Sequence, residues 1–372
     1  MAFARRRYRS LGLEFAFDCA NDDSVVHRLA DLYRACEHEG SRPVDLEITI
    51  TTDTGSCYEL RVGRELLCRT SSADELTEWF AWRVNRSAVA HSREMLVLHA
   101  AAVADTSGAV LLPGASGAGK STLAAALTLA GFTYLGEDSI GTTKAGCIAA
   151  NPKPLALDRG SRAALRAFAP DVGALADDHP LLAPTVIGAV GESGHRAEPA
   201  LIVCPAFRAG VDARVTPLPA ADAAVLLADQ SFNFAALGAD ALRTIADIAR
   251  HAPAFTLEFG DLGAAVDALR TLVDDAAAVG PPSQASAEQD EVRGFDGAVE
   301  VLGDELVIWD PAHQSLHHLS VSAGAIWGAA RRGCPTSEIV NSIACASRRD
   351  HIGVADEVER CLADLAARDL LR

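Results

Sequence analysis

The chain is poor in aromatic residues, 5% of 372, and has only two methionines. It contains no uncharged apolar stretch of about 18 residues, the length that a membrane-crossing helix needs, so no membrane span or membrane partner is expected. Basic charge is scarce as well: 33 Lys and Arg stand against 50 Asp and Glu, a formal net charge of −17. Nucleic acid and anionic lipid surfaces both select for a basic footprint, so neither is expected as the main partner. The nine cysteines are scattered and never in C-x-x-C spacing, which argues against a metal cluster or a disulfide framework. The basic start, Arg5-Arg6-Arg7-Tyr8, lacks the apolar segment that follows in a secretory signal, so a cytoplasmic protein is expected.

What is present is a globular composition, 49% apolar and 22% charged, on a chain long enough for two or three domains. The feature around which it is organised is Gly114-Ala115-Ser116-Gly117-Ala118-Gly119-Lys120-Ser121-Thr122, which fits G-x-x-x-x-G-K-[ST]. The apolar run Ala109–Pro113 predicts a buried strand before it. Thr122–Ala130 predicts a helix after it, which Gly131 is placed to end. A nucleoside triphosphate concentrates negative charge, so its binding loop needs close backbone approach, free N–H groups and the positive end of a helix. Gly114, Gly117 and Gly119 allow that approach, with Ser116 and Ala118 between them. Lys120 is expected to reach the outer phosphates, and the Ser121 hydroxyl to hold magnesium beside Thr122. ATP and Mg2+ are the expected cofactors.

A strand is predicted over Leu96–Val103, and His99 lies on it, fifteen residues before Gly114. A histidine on an apolar strand is most often a satisfied core residue, but a strand beside that of the loop can aim it at the phosphates. After the loop helix, Phe132–Asp138 predicts a strand ending in the carboxylates Glu137 and Asp138. The carboxyl ends of parallel strands are where ligands sit. Neighbours on an extended chain point opposite ways, so one carboxylate is expected to act as base or metal ligand and the other to support it. Asn151-Pro152-Lys153-Pro154-Leu155 reads as a rigid extended turn whose lysine is a candidate substrate or phosphate contact.

Residues 1–94 read as a small α+β module, with strands over 13–17, 44–51, 57–62 and 66–70 and helices over 24–36 and 73–88. Residues 95–273 hold the loop, a mixed stretch over 161–198 that suits a lid, strands over 200–205 and 255–259, and helices over 220–229, 240–250 and 262–273. Residues 274–293 have linker composition. Residues 294–372 predict three strands, over 298–302, 305–309 and 315–319. Three helices follow over 322–330, 336–345 and 354–367, the second capped by Thr336, an order that resembles a winged helix-turn-helix. Its last helix carries Asp356, Glu357, Glu359 and Asp364 against Arg360 and Arg368, which suits a peptide along the sheet edge better than DNA.

From Leu98-His99-Ala100 through the loop to Glu137-Asp138, the order of elements resembles the kinase core of the HPr kinase/phosphorylase family. Residues 200–260, including Phe232-Asn233-Phe234, resemble the peptide-directed relatives found in lasso-peptide clusters. The tail from Gly297 is similar to PqqD-like leader-peptide recognition domains, in Asp304-Glu305-Leu306-Val307, Ser322-Ala323-Gly324-Ala325-Ile326-Trp327 and Leu370-Leu371. The resemblance implies an α/β fold: a P-loop kinase core of the HPr-kinase type, with the N-terminal α+β module and a C-terminal winged helix-turn-helix. It implies that the first carboxylate of the pair deprotonates the acceptor hydroxyl, that Lys120 steadies the moving phosphoryl group, and that Asp138 joins Ser121 at the metal. The family generally has Asp where Glu137 stands. Its E-I-R-G-like magnesium segment is absent, leaving Asp158 or Lys153 as partial substitutes, and the reverse phosphorylase activity is not assumed.

The leading expectation is an ATP- and magnesium-dependent kinase acting on a Ser or Thr hydroxyl of a ribosomally made precursor peptide. The leader of that peptide would dock on residues 294–372. The alternatives are a small-molecule kinase with a regulatory tail and a non-enzymatic, nucleotide-gated peptide-presenting module; homo-oligomerisation is left open. The chain carries no LSGGQ-like segment of a transport motor and no N/T-K-x-D guanine reader.

Overall fold

The computed structural model describes residues 6–20, 23–40, 43–52, 57–175, 179–279 and 295–371. The N-terminal part comprises β1 (Tyr8–Ser10), β2 (Leu13–Ala20), α1 (Asp23–Leu32), β3 (Leu46–Thr52), β4 (Tyr58–Val62), β5 (Glu65–Thr70) and α2 (Ala73–His91). Its sheet runs β1-β2-β3-β4-β5, with β2 and β3 parallel and the other pairs antiparallel. The alternation of β3 sets the packing: Leu46, Ile48 and Ile50 are buried while Glu47 and Thr49 face out. Helix α2 starts where Ser72 accepts the Glu75 N–H at 3.2 Å, and it lays Leu76, Phe80, Val84 and Ala88 on the sheet. Val97, Leu181 and Ala183 from later in the chain join the same core, so the N-terminal part is packed against the central one. The helix expected over 24–36 ends at Leu32 and gives way to a short 3-10 turn over Arg34–Cys36.

The central part begins with β6 (Leu96–Leu98), β7 (Ala100–Asp105), β8 (Gly108–Pro113), α3 (Lys120–Leu129), β9 (Thr133–Gly136), β10 (Ile140–Thr142), β11 (Ile148–Ala149), β12 (Leu155–Ala156) and α4 (Arg159–Phe168). It continues with β13 (Leu181–Leu182), β14 (Arg196–Ala197), β15 (Pro199–Phe207), β16 (Arg214–Leu218), α5 (Ala220–Asp229), α6 (Phe234–Leu237), α7 (Ala239–His251), β17 (Ala254–Phe259) and α8 (Leu262–Val279). Six strands form a mixed sheet in the order β16-β17-β15-β8-β7-β9. Strands β8, β15 and β17 are parallel, whereas β7 runs antiparallel to both β8 and β9. Both sheet faces are covered. Ala109 and Leu111 face the core under α5 and α7, and Val110 and Leu112 face the core under α3 and α8.

The strand expected over Leu96–Val103 is two strands. β6 pairs with β10 in a small second sheet, β7 joins the large one, and His99 stands at the break, its N–H donating to the Gln230 carbonyl at 2.6 Å. Helix α8 runs to Val279, six residues into the stretch read as linker, and the rest of that stretch lies outside the described residues.

The C-terminal part is an antiparallel sheet of β18 (Ala298–Leu302), β19 (Glu305–Asp310) and β20 (Ser315–Leu319), followed by α9 (Val321–Arg331), α10 (Thr336–Ser347) and α11 (His351–Ala367). Pro335 occupies the cap position of α10, and Thr336 is its first helical residue. The sheet is apolar on both faces. Leu302, Val307 and Trp309 enter the core shared with α5 and α7, while Ile308 and Leu319 pack on α9, α10 and α11. Among the described residues, no helix is long and apolar enough to cross a membrane.

Candidate functional site

The glycine-rich loop leaves β8 and enters α3, as its sequence requires. Leu123 N–H makes the first bond of the helix, to the Gly119 carbonyl at 2.9 Å, and the N–H groups of Lys120, Ser121 and Thr122 before it have no backbone acceptor among the described residues. Gly119 takes a left-handed φ of 94°, and a Cβ there would meet Phe259 at 3.1 Å and Phe207 at 3.3 Å, so glycine is needed for conformation and for space. Phe207 also donates its N–H to the Ala118 carbonyl at 3.2 Å, which fixes the loop against the end of β15. Gly114, Ala115, Ser116 and Gly117 form its outer arc, with Ser116 exposed. Lys120 is buried, and its Nζ donates to the carbonyls of Gly114 at 2.7 Å and Ala115 at 2.9 Å. Burial draws its pKa down, opposed by Asp138 and Glu137.

The two carboxylates take different places because the chain turns between them. Gly136 ends β9 at φ 150°, where a Cβ would stand 2.5 Å from the Asn151 carbonyl oxygen. Asp138 then adopts φ 63°, and Ser139 donates its N–H back to the Glu137 carbonyl at 2.7 Å. Glu137 is 2% exposed. Its carboxylate accepts from the Ser121 hydroxyl, from Lys153 Nζ at 3.1 Å and from the Ala156 N–H at 3.2 Å. Asp138 keeps 41% of its side chain exposed and lies 3.4 Å from His99 Nε2 and 3.8 Å from Lys153 Nζ. The His99 imidazole is the main cause that holds the Asp138 carboxyl down at about 2; burial opposes it and the Lys153 charge assists. Lys153 is raised although burial, the largest influence, pulls it down, because Glu137 and Asp138 together outweigh that cost.

The structure therefore brings His99, Lys120, Ser121, Glu137, Asp138 and Lys153 into one cluster. Glu137, rather than Asp138, is the carboxylate against Ser121. That hydroxyl and carboxylate are hard oxygen donors of the kind magnesium takes alongside phosphate oxygens. Thr122 lies off the cluster, donating to Ser161 Oγ at 2.8 Å. Asp158 is the N-cap of α4, accepting from the Ser161 N–H at 2.7 Å, and does not reach the carboxylates. Among the described residues, no group of three or more His, Cys, Asp or Glu is arranged to hold a metal by itself.

Two residues that the sequence did not mark as site residues complete the cluster. Asn85 on α2 donates Nδ2–H to Asp138 at 3.0 Å and accepts from Ser139 Oγ at 2.5 Å. Asn151, fully buried, donates to the Ser139 carbonyl at 3.0 Å and accepts from Ser10 Oγ at 2.9 Å and the Leu11 N–H at 3.2 Å. Spacing along the chain gives no sign of Asn85. For Asn151 the flanking Pro152-Lys153 signals a fixed turn without its partners. Asn233, within the Phe-Asn-Phe segment, ties the approach to β6 by accepting from the Val97 N–H at 3.0 Å and donating to the Ser92 and Met95 carbonyls at 3.0 and 2.9 Å. No protein-family model matches the chain, and no curated protein sequence matches it.

Proposed function

We propose that the protein is an ATP- and magnesium-dependent kinase that phosphorylates a Ser or Thr hydroxyl of a precursor peptide. The observation that carries this reading is the pairing of a phosphate-type loop with a half-exposed, ionised Asp138 beside it, one carboxylate removed from Ser121. In this reading the free N–H groups at the start of α3 and the Lys120 ammonium hold the outer phosphates. Lys120 exchanges its bonds to the Gly114 and Ala115 carbonyls for phosphate oxygens. Ser121 and Glu137 hold the metal, whose charge offsets that of the phosphate oxygens when bound. Asp138 accepts the hydrogen bond of the incoming hydroxyl and finally its proton. A carboxylate this acidic is a weak base in the ground state. In phosphoryl transfer, however, its main service is to orient the nucleophile, and the proton leaves as the new P–O bond forms.

The C-terminal sheet and helices are the proposed dock for the leader of the peptide, in the manner of a PqqD-like winged helix. Neither outer edge, β18 or β20, has a strand partner among the described residues, and an added strand satisfies such an edge. The test is to incubate the protein with ATP, magnesium and the precursor peptides encoded beside its gene, and to weigh the peptides. Gain of one phosphoryl group is expected, with a loss of about 10²- to 10⁴-fold in rate for Asp138→Asn. Nucleotide binding that depends on Lys120, with no phosphate on any peptide, would leave a nucleotide-gated binding module in place of the kinase.

A further inference from the structure

Helix α2 carries a second feature one residue beyond Asn85. Arg83, Arg86, Ser87 and Ala90, spaced as one helical face, line an open cavity of about 850 Å3 together with Arg93 and Met95. Arg83 pairs with Glu65 only at 3.8 Å, and its Nε is buried with no hydrogen-bond partner among the described residues. The Arg86 guanidinium lies over the ring of the exposed Trp82 at 5.4 Å, and neither it nor the exposed Arg93 has an ion pair among the described residues. His91 pairs loosely with Asp45 at 3.9 Å, and Glu94 is the one carboxylate on the cavity wall. Three arginines around one cavity stand out on a chain of net charge −17.

The cavity also has a fixed relation to the catalytic cluster. Asn85, which touches Asp138, and Arg86 are consecutive on α2. From Met95 on the cavity wall, β6 runs directly to His99 beside Asp138, a distance of about 13 Å at ~3.3 Å per strand residue. An extended peptide covers that span with about four residues.

We propose that this cavity takes carboxylate side chains of the substrate, which makes the substrate an acidic peptide with Asp or Glu about four residues from the hydroxyl facing Asp138. Guanidinium groups with unused donors match carboxylates in geometry and charge, and the chain's overall acidity repels such a peptide everywhere else. The proposal rests on the peptide-kinase reading of the site.

The test uses two fluorescein-labelled synthetic peptides, each with a single Ser, one carrying Glu at the third to fifth positions on both sides and the other Gln. Binding to the full chain is read by anisotropy without ATP. The Glu peptide is expected to bind about tenfold tighter, the difference shrinking with added salt and vanishing in Arg86→Glu/Arg93→Glu. Both arginines are exposed, so the folded state tolerates the change, and Arg332→Glu/Arg348→Glu, at exposed positions of the C-terminal part, makes the same change in net charge as a control. Equal binding of the two peptides, an equal loss in Arg332→Glu/Arg348→Glu, or stronger competition by polyuridylate or phosphatidylserine vesicles than by polyglutamate would each overturn the proposal. With ATP added, phosphorylation of both peptides at equal KM also overturns it while the kinase reading stands. Arginine-dependent binding of the Glu peptide with no phosphate transferred leaves the cavity assigned and removes the kinase.

Discussion

The N-terminal and C-terminal parts both pack on the central part through apolar side chains, but they differ in the polar contacts that accompany the packing. The N-terminal part also reaches the cluster around Asp138 through polar side chains, Asn85 on Asp138 and Ser10 on Asn151, with Ser193 Oγ donating to the Arg9 carbonyl at 3.1 Å. The C-terminal part is joined by apolar surface: Trp309 meets Phe234 edge-on at 5.1 Å between centroids, and Val307 and Leu302 fill the same core. Its charged contacts, buried Glu300 with Arg250 and His318 with Asp222 at 3.6 Å, border that seam. Hydrogen bonds are directional and fix where a group points, whereas apolar burial supplies affinity without direction. The polar contacts of the N-terminal part fix where the Asp138 carboxylate points, and the apolar seam holds the C-terminal part in place.

Substitutions on each side can break this contrast. The largest effect on stability is expected from Trp309→Ala, which empties a site only 4% exposed and should cost about 3–5 kcal/mol in chemical denaturation. The rate per folded molecule should stay close to normal, and a matching fall in kcat would refute the division. Asn85→Ala should do the reverse. Asp138 is 41% exposed, so water replaces the lost donor and the melting temperature should barely move, while the mispositioned carboxylate should lower kcat about ten- to a hundredfold.

His99→Ala sharpens the same point through pH. Asp138, drawn down to about 2, is ionised at neutral pH, and losing the imidazole that depresses it moves its pKa up toward the ordinary carboxylate range. The acid limb of the kcat profile should therefore shift to higher pH, and an unmoved limb would take Asp138 out of the base role. The smallest effect belongs to Ser10→Ala, at about 1 kcal/mol or less, because Asn151 keeps the Leu11 N–H as a donor.

Much of the central part was legible in the sequence. The loop motif, its flanking strand and helix, His99 and the Glu-Asp pair stand at the same end of neighbouring strands, because Ala100 pairs with Pro113 and Ala102 with Gly136 across β7. The division between the two carboxylates was not legible. Strand alternation assumes an extended backbone, and Asp138 leaves it with a positive φ immediately after a glycine and a glutamate. The break at His99 escaped for a related reason: Leu96–Val103 is apolar on both sides of the histidine, and only pairing with two different sheets divides it. Asn85 lies 53 residues from its partner, on a helix that the sequence assigns to the N-terminal module, and no local pattern encodes a contact of that range.

A sheet clothed in apolar side chains on both sides is a poor cassette. Lifting residues 295–371 away to make a stand-alone peptide binder bares Trp309 and Val307 on one excised piece, and Phe234 and Leu242 on the remnant. Both fragments would then expose sticky surface of the sort that drives aggregation. Transplanting residues 295–371 onto another scaffold calls for polar replacements on that inward side, or for carrying α5 and α7 along with them.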